Sequence, residues 1–199
     1  MTYIIGLTGS IATGKSTVVG IFQKNNIPVI DADLLTRELQ EKGSPLLEVL
    51  ASEFGSDILL ENGELNRDKL GGRIFSSEEK REKLNHLFEP FFKELLKNRM
   101  DEFTKKHTKL LVVDIPLLFE ADYTSLFDET MLVYTDEKTQ LGRLMQRNNL
   151  TKEQALQRMY AQWDIERKKE LADTIIDNSG TLENTEKQIL NWIKTGGFI

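Results

Sequence analysis

Residues 9–16, with the sequence GSIATGKS, constrain the fold more than any other part of the chain. Their spacing, G-x-x-x-x-G-K-S, is that of a phosphate-binding loop. The apolar run Tyr3–Leu7 before the loop predicts a buried strand, and Thr17–Lys24 after it predicts a helix with an apolar face. Strand, glycine loop and helix is the context in which such a loop binds nucleotides. The sequence therefore predicts a nucleotide-binding α/β protein.

The composition of the loop also predicts its chemistry. Glycine adopts backbone conformations that other residues avoid, so successive N–H groups can point at one phosphate from the positive end of a helix. We expect Lys15 to reach the β- and γ-phosphates and the Ser16 hydroxyl to bind Mg²⁺. The alternative is a glycine-rich turn in which Lys15 is only solvated, and the flanking strand and helix argue against it.

Charge and composition restrict the partners of the protein. A chain of 199 residues suits one domain, or a core domain with an inserted subdomain. Its net charge of −6 gives no general attraction to nucleic acid or to an acidic membrane, so anionic ligands need a local positive site. The absence of cysteine excludes disulfides and thiol catalysis. Because the sequence has no signal-like start and no membrane-spanning run, we expect a cytoplasmic protein. We expect it to be a monomer or a small homo-oligomer.

Apolar strands alternate with helical patterns in most of the chain. Besides the first strand, the strand predictions fall at residues 27–30, 110–114, 129–134 and 173–178. This alternation predicts a parallel sheet with helices on both faces, in which ligands bind at the carboxyl ends of the strands. Residues 45–108 contain no convincing strand and are expected to form an inserted helical subdomain. Within it, Ser76 is predicted to cap a helix, and Pro90 to begin a long helix that ends near His107.

Acidic residues stand at two of these strand ends. Asp31 and Asp33 follow the second strand, where one of them is expected to cap the next helix. Beside a phosphate loop, Asp33 could instead orient an acceptor hydroxyl and take its proton. Asp114 ends the third strand and suits Mg²⁺ bound directly or through water, although a capping or turn role explains it equally well.

Basic residues in the second half of the chain allow two interpretations. Arg143 and Arg147 lie four residues apart, so they share one face of a predicted helix. They could belong to a lid that closes over the phosphates, or to a solvated surface, as could Arg158. Lys168 and Lys169 are predicted to lie on the surface. The last helix is predicted to face inward with Leu182, Ile189, Leu190 and Ile193.

Several motifs in a fixed order give the chain a family resemblance. They are Gly6–Gly9 before the phosphate loop, Val29–Asp33 with Arg37, Asn62–Arg67 with Leu70 and Phe75, Val113–Glu120, Gln140 with Arg143 and Arg147, Arg158 with Gln162, Ala172–Asp173, and Asp177–Asn178. With these motifs the chain resembles the dephospho-coenzyme A kinases over nearly its whole length. The segments Asp31–Asp33 and Pro116–Glu120 are more specific for this family than the phosphate loop.

The resemblance implies an α/β fold with a P-loop NTPase-type core, a helical substrate-binding insertion and a mobile lid. The core would comprise residues 1–33, 109–138 and 172–199, the insertion residues 34–108, and the lid residues 139–171. The implied reaction transfers the γ-phosphoryl group of ATP, with Mg²⁺, to the ribose 3′-hydroxyl of dephospho-coenzyme A. Its products are coenzyme A and ADP, and it is the last step of coenzyme A biosynthesis.

The resemblance also assigns roles to single residues. Asp33 would be the catalytic base, acting with Lys15, Arg143 and Arg147. ATP would be bound by Gly9, Ile11, Ala12, Thr13, Gly14, Lys15, Ser16, Thr17, Asn178 and Gly180. The acceptor would be bound by Thr8, Asp33, Arg37 and Leu117, and Mg²⁺ by Ser16 and Asp114, for Asp114 directly or through water.

The chain departs from the family pattern at two places. Glu89-Pro90 stands where the family usually has His-Pro, with His86 one turn earlier, and the loop interior 10–13 contains fewer glycines than the family version. Two other functions stay open: another small-molecule kinase on the same core, and a nucleotide-dependent switch, which the missing N-K-x-D motif argues against. A binding protein without catalysis is disfavoured because Lys15, Ser16, Asp33 and Asp114 are all present.

Overall fold

The computed structural model describes residues 1–74 and 77–198. In these residues five parallel strands form one sheet in the order β2-β3-β1-β4-β5. The strands are β1 (Tyr3–Thr8), β2 (Val29–Asp31), β3 (Leu110–Asp114), β4 (Glu129–Tyr134) and β5 (Thr174–Asp177). Helices cover both faces of the sheet, so the predicted fold class is confirmed. No helix in the described ranges is long and apolar enough to cross a membrane.

Some helices lie between the strands in the sheet unit, and the others form a second compact unit. They are α1 (Lys15–Lys24), α2 (Ala32–Glu38), α3 (Pro45–Phe54), α4 (Arg67–Ile74), α5 (Glu78–Lys105), α6 (Glu137–Asn148), α7 (Lys152–Tyr160), α8 (Ile165–Leu171) and α9 (Leu182–Thr195). The sheet unit contains Met1–Asp31 and the described residues from Phe103 onward, and the helical unit is Ala32–Glu102. The functional assignments of the insertion and the lid stay predictions.

The register of the sheet brings the strand ends to one edge. Leu7 of β1 and Asp31 of β2 both pair with Asp114 of β3, while Thr8 pairs with Leu132 of β4. In a parallel sheet the carboxyl ends of neighbouring strands share an edge, and ligands bind there. The phosphate loop, which leaves β1 after Thr8, therefore starts beside Asp114.

One apolar core of the sheet unit lies between the sheet and the pair α1 and α9. It contains Ile5, Leu7, Val18, Ile21, Phe22, Ile27, Leu110, Val112, Met131, Val133, Ile176, Ile189 and Ile193, all buried. The prediction that Leu182 faces inward is wrong, since this residue is 55% exposed. Leu182 is the first residue of α9, so it lies at the end of the helix, beyond the face that Ile189 and Ile193 bury.

The helical unit buries its own apolar residues, among them Leu46, Leu47, Leu50 and Phe54 of α3. The prediction that Pro90 begins a helix is wrong, because Pro90 lies inside the 28-residue α5. Proline removes one helical hydrogen bond, yet Phe92, Leu96 and Met100, spaced four apart, are buried after it and hold the helix. The predicted cap at Ser76 and the family position Phe75 lie outside the described residues.

Candidate active site

Two residues of the phosphate loop have left-handed backbone conformations. Gly14 caps α1 with φ of 89°, and Ala12 has φ of 62°, so both are in the left-handed region. Gly14 adopts this conformation freely, whereas an alanine there is disfavoured by about 1–2 kcal/mol. The strain at Ala12 must therefore be held by contacts around the loop.

Asn178, at the end of β5, fixes the loop from one side. Its Nδ2 donates to the carbonyl oxygen of Thr13 at 2.7 Å, and its Oδ1 accepts from the Thr185 hydroxyl at 2.8 Å. The side chain is buried, so both bonds are shielded from water. Asn178 therefore supports the loop itself, a role that its predicted contact with ATP does not include.

Lys15 and Asp114 form an ion pair at the carboxyl edge of the sheet. Their side chains are 19% and 13% exposed, so the pair is largely shielded but open on one side. Ser16, the second residue of α1, is exposed beside Lys15. In the described part of the chain, no group of three or more His, Cys, Asp or Glu side chains could hold a metal by itself.

A pocket of about 530 Å³ opens over the loop. Its walls are Ala12, Gly14, Ser16, Thr17, Arg143, Gln146, Arg147, Asn178, Gly180 and Leu182. The structure thus brings the two predicted lid arginines and the two predicted residues after β5 to the phosphate loop. The N-terminus of α1 and two guanidinium groups make this pocket suitable for a polyphosphate.

The helix that carries both arginines is firmly capped. The Asp136 carboxylate accepts from the Thr139 backbone N–H at 2.9 Å and from its hydroxyl at 2.6 Å. The Thr139 hydroxyl, more than any other group, lowers the pKa of Asp136 below its usual value. A negatively charged cap at the N-terminus of α6 stabilises the helix. The helix in turn positions Arg143 and Arg147.

Two glutamines also contact the loop, and sequence reasoning gave them no role. Gln140 of α6 donates from Nε2 to the Ile11 carbonyl oxygen at 2.7 Å, and Gln162 accepts the Ile11 N–H at Oε1, also at 2.7 Å. Ile11 and Ala12 pack against the buried cluster of α6 and α7 formed by Leu144, Ala155 and Met159. No sequence pattern predicts hydrogen bonds of this kind between a side chain and a distant backbone group. Both glutamines nevertheless belong to the family motifs.

The residues predicted to bind the acceptor are not among the walls of the pocket over the phosphate loop. Thr8 is buried, and its hydroxyl donates to the Pro116 carbonyl oxygen at 3.1 Å. Leu117, next to Pro116, is 48% exposed. Asp33 and Arg37 lie on α2 in the helical unit, where both are exposed. Their acceptor-binding and catalytic roles stay predictions.

One predicted surface residue is instead in the interior. Lys168 of α8 is fully buried, and its Nζ lies 2.6 Å from Oε1 of Glu120 in the segment after β3. The surface prediction for Lys168 is therefore wrong, because a lysine in a charged stretch is buried when a carboxylate from another segment pairs with it. Lys169, its neighbour, is 41% exposed at the side chain. The Lys168–Glu120 pair ties α8 to the segment that follows β3.

We expect Gly14→Ala to disrupt the loop and to abolish measurable ADP binding at millimolar nucleotide. A methyl group at Gly14 would lie 2.1 Å from Nδ2 of Asn178, at a φ that alanine avoids. Either the Asn178 bond to Thr13 breaks or the loop moves. Calorimetric titration with ADP, together with thermal unfolding, measures both effects.

Gly20→Ala is the matched control, since Gly20 lies in α1 and a methyl group there meets no atom within 4 Å. It should keep ADP affinity and raise the free energy of unfolding by about 0.5–1 kcal/mol, the usual gain for alanine in a helix. Wild-type ADP affinity in the Gly14→Ala variant would contradict the loop geometry.

Comparison with known proteins gives one consistent result. The family described as dephospho-CoA kinase matches residues 3–184. A dephospho-CoA kinase of Enterococcus faecalis is 48% identical over 194 residues, covering 98% of this chain and 97% of the relative. That of Listeria innocua is 50% identical over 190 residues, covering 96% and 95%. The solved dephospho-CoA kinase of Campylobacter jejuni superposes with a TM-score of 0.74 at 30% identity, covering 99% and 100%.

Proposed function

The chain belongs to the dephospho-CoA kinase family, and from this we propose that it phosphorylates the ribose 3′-hydroxyl of dephospho-coenzyme A with ATP. The products are coenzyme A and ADP, so the reaction completes coenzyme A biosynthesis. The observation that carries the proposal is the pocket over the phosphate loop, whose walls include Ser16 and Thr17 together with Arg143 and Arg147. That combination suits transfer of a phosphoryl group, in which positioning and charge stabilisation supply most of the catalysis.

We propose that the pocket binds ATP through its phosphates. Backbone N–H groups of residues 12–16 would surround the β- and γ-phosphates at the start of α1. Lys15 would leave Asp114 and reach the transferred phosphoryl group, while Arg143 and Arg147 would stabilise the charge that spreads over its oxygens. Gly180, with Leu182, would lie towards the adenine, and Asn178 would support the loop beneath the phosphates.

The residues fit a magnesium ion bound together with the nucleotide. Mg²⁺ usually takes one or two protein oxygens and fills its other positions with phosphates and water. The hydroxyl of Ser16 and the carboxylate of Asp114, released by Lys15, are such oxygens at the same edge of the sheet. When bound, the ion would neutralise negative charge on the β- and γ-phosphates.

We further propose that Asp33 aligns the acceptor hydroxyl and takes its proton. Asp33 is the second residue of α2, two residues beyond the strand end at Asp31, and it is exposed. The acceptor would lie in the insertion, residues 34–108, with Thr8, Arg37 and Leu117 as its further contacts. The helices of residues 139–171 would act as the lid, which excludes water when both substrates are bound. We place the reaction in the cytoplasm, carried out by a monomer or small homo-oligomer.

The test is ADP release from ATP and Mg²⁺, measured with and without dephospho-coenzyme A and with the product identified by mass. We expect release that depends on this acceptor and yields coenzyme A. The controls are other ribose-containing acceptors, adenosine and coenzyme A itself, which should give only background release. Equal release with every acceptor, or release without any, would contradict the proposed substrate and leave the nucleotide site intact.

A further inference from the structure

Gln140 and Gln162 both form hydrogen bonds to the backbone of Ile11 in the phosphate loop. Neither glutamine lines the pocket over the loop. Gln140 comes from α6, whereas Gln162 follows the end of α7. Both polar groups of one loop residue are thus bound by side chains that are distant along the chain.

The chemistry of the backbone fixes the orientation of both amides. A backbone N–H can only donate, so Gln162 must present its oxygen, and a carbonyl can only accept, so Gln140 must present its nitrogen. Gln140 is only 3% exposed, and little water can replace its bond. Position 140 therefore requires a hydrogen-bond donor, and position 162 requires an acceptor.

These bonds act on the strained residue of the loop. The Ile11 carbonyl belongs to the same peptide unit as the N–H of Ala12, and the orientation of that unit determines φ of Ala12. Ala12 has φ of 62°, a conformation that glycine adopts without steric strain and that is unfavourable for alanine. The Gln140 bond holds the peptide unit, the Gln162 bond holds the preceding one, and the side chain of Ile11 packs against α6 and α7.

We propose that Gln140 and Gln162 are positioning residues that hold Ala12 in the left-handed conformation required for nucleotide binding. Without them the loop would populate other conformations, and nucleotide would bind only the remaining competent fraction. Apparent affinity falls by that fraction, whereas turnover of the bound complex changes little. This inference rests on the proposed function only for its kinetic readout, because nucleotide affinity can be measured without an acceptor.

The sharpest experiment makes the same substitution at both positions. Gln162→Glu keeps an oxygen acceptor for the Ile11 N–H, whereas Gln140→Glu replaces the donor with a carboxylate that faces a carbonyl. Each variant places a carboxyl group of the same size next to Ile11, so each is the steric control for the other. We expect ADP affinity about tenfold weaker in Gln140→Glu than in Gln162→Glu. In the acceptor assay the KM for ATP should rise to a similar extent, with kcat within about threefold of wild type.

A second experiment links the effect to Ala12. Gln140→Met keeps the size of the side chain and removes its donor, and it should weaken ADP binding about tenfold when residue 12 is alanine. In an Ala12→Gly background the same substitution should cost about threefold or less, because glycine needs no help to adopt this φ. Each comparison is made within one background, since Ala12 lines the pocket itself.

Three results would overturn the proposal in variants whose thermal unfolding matches wild type. These are equal ADP affinities for the two glutamate variants, wild-type affinity for Gln140→Met, and an equal cost of Gln140→Met in both backgrounds. A failure of the proposed substrate looks different. Then ADP binding would follow the expected pattern, while dephospho-coenzyme A would not be phosphorylated by the wild-type protein.

Discussion

Replacing Lys15 with methionine is expected to lower kcat/KM for ATP by about a thousandfold, the scale of losing one charge-stabilising group at a phosphoryl-transfer site. The loss should appear in both the ADP affinity and kcat, because Lys15 would contact the nucleotide before and during transfer. Methionine keeps the length of the side chain, and the change removes the ion-pair partner that Asp114 has in the structure. Steady-state kinetics with ATP varied, together with ADP titration, separates the two effects.

Lys24→Met is the control for this variant. Lys24 is the last residue of the same helix, and its side chain is 73% exposed. Its ion pair with Glu186 lies at the surface. Exposed pairs of this kind contribute about 0–1 kcal/mol, so neither stability nor kinetics should change much. Kinetics at the wild-type level in Lys15→Met would remove the phosphate loop from the mechanism.

Asp33→Asn is expected to lower kcat by about a hundredfold to ten-thousandfold, the usual contribution of a general base. ADP affinity should stay within about threefold, because Asp33 is assigned to the acceptor and not to the nucleotide. The asparagine keeps the shape of the side chain and cannot take the proton from the 3′-hydroxyl. The measurement is kcat with saturating dephospho-coenzyme A, with ADP titration alongside.

Asp68→Asn is a matched control within the same unit. Asp68, like Asp33, is the second residue of an α-helix and is exposed, so the substitution removes the same charge from an equivalent position. Its kcat should stay at the wild-type level. If both variants lost activity equally, or neither did, Asp33 would not be the base.

The phosphate loop and its surroundings could be predicted because their signals are local. The loop 9–16 contains its own glycines, lysine and serine, and the runs on either side of it have strand and helix patterns that few other arrangements allow. Arg143 and Arg147 could be paired because residues four apart share a helix face. Asp114 could be placed beside the loop because parallel strands end at a common edge.

Features that depend on distant partners could not be predicted in the same way. Gln140 and Gln162 contact Ile11 across 129 and 151 residues, and hydrogen bonds from side chain to backbone leave no periodic trace in a sequence. The charged sequence around Lys168 predicts a surface position for the same reason, since its partner Glu120 is 48 residues away. Local rules predict a helix start at Pro90, and packing of Phe92, Leu96 and Met100 overrides those rules.

The Lys168–Glu120 pair has a consequence for how this sequence can diverge. Removing one member of a buried pair costs about 3–5 kcal/mol, a large share of the stability of a small protein, whereas replacing both with well-packed apolar side chains can be neutral. A substitution at position 120 or 168 alone is therefore strongly destabilising, whereas both positions can be substituted together. Across relatives, positions 120 and 168 should be inherited as one unit, and a lysine-to-arginine exchange at 168 should be tolerated only where the surrounding packing admits the larger head group.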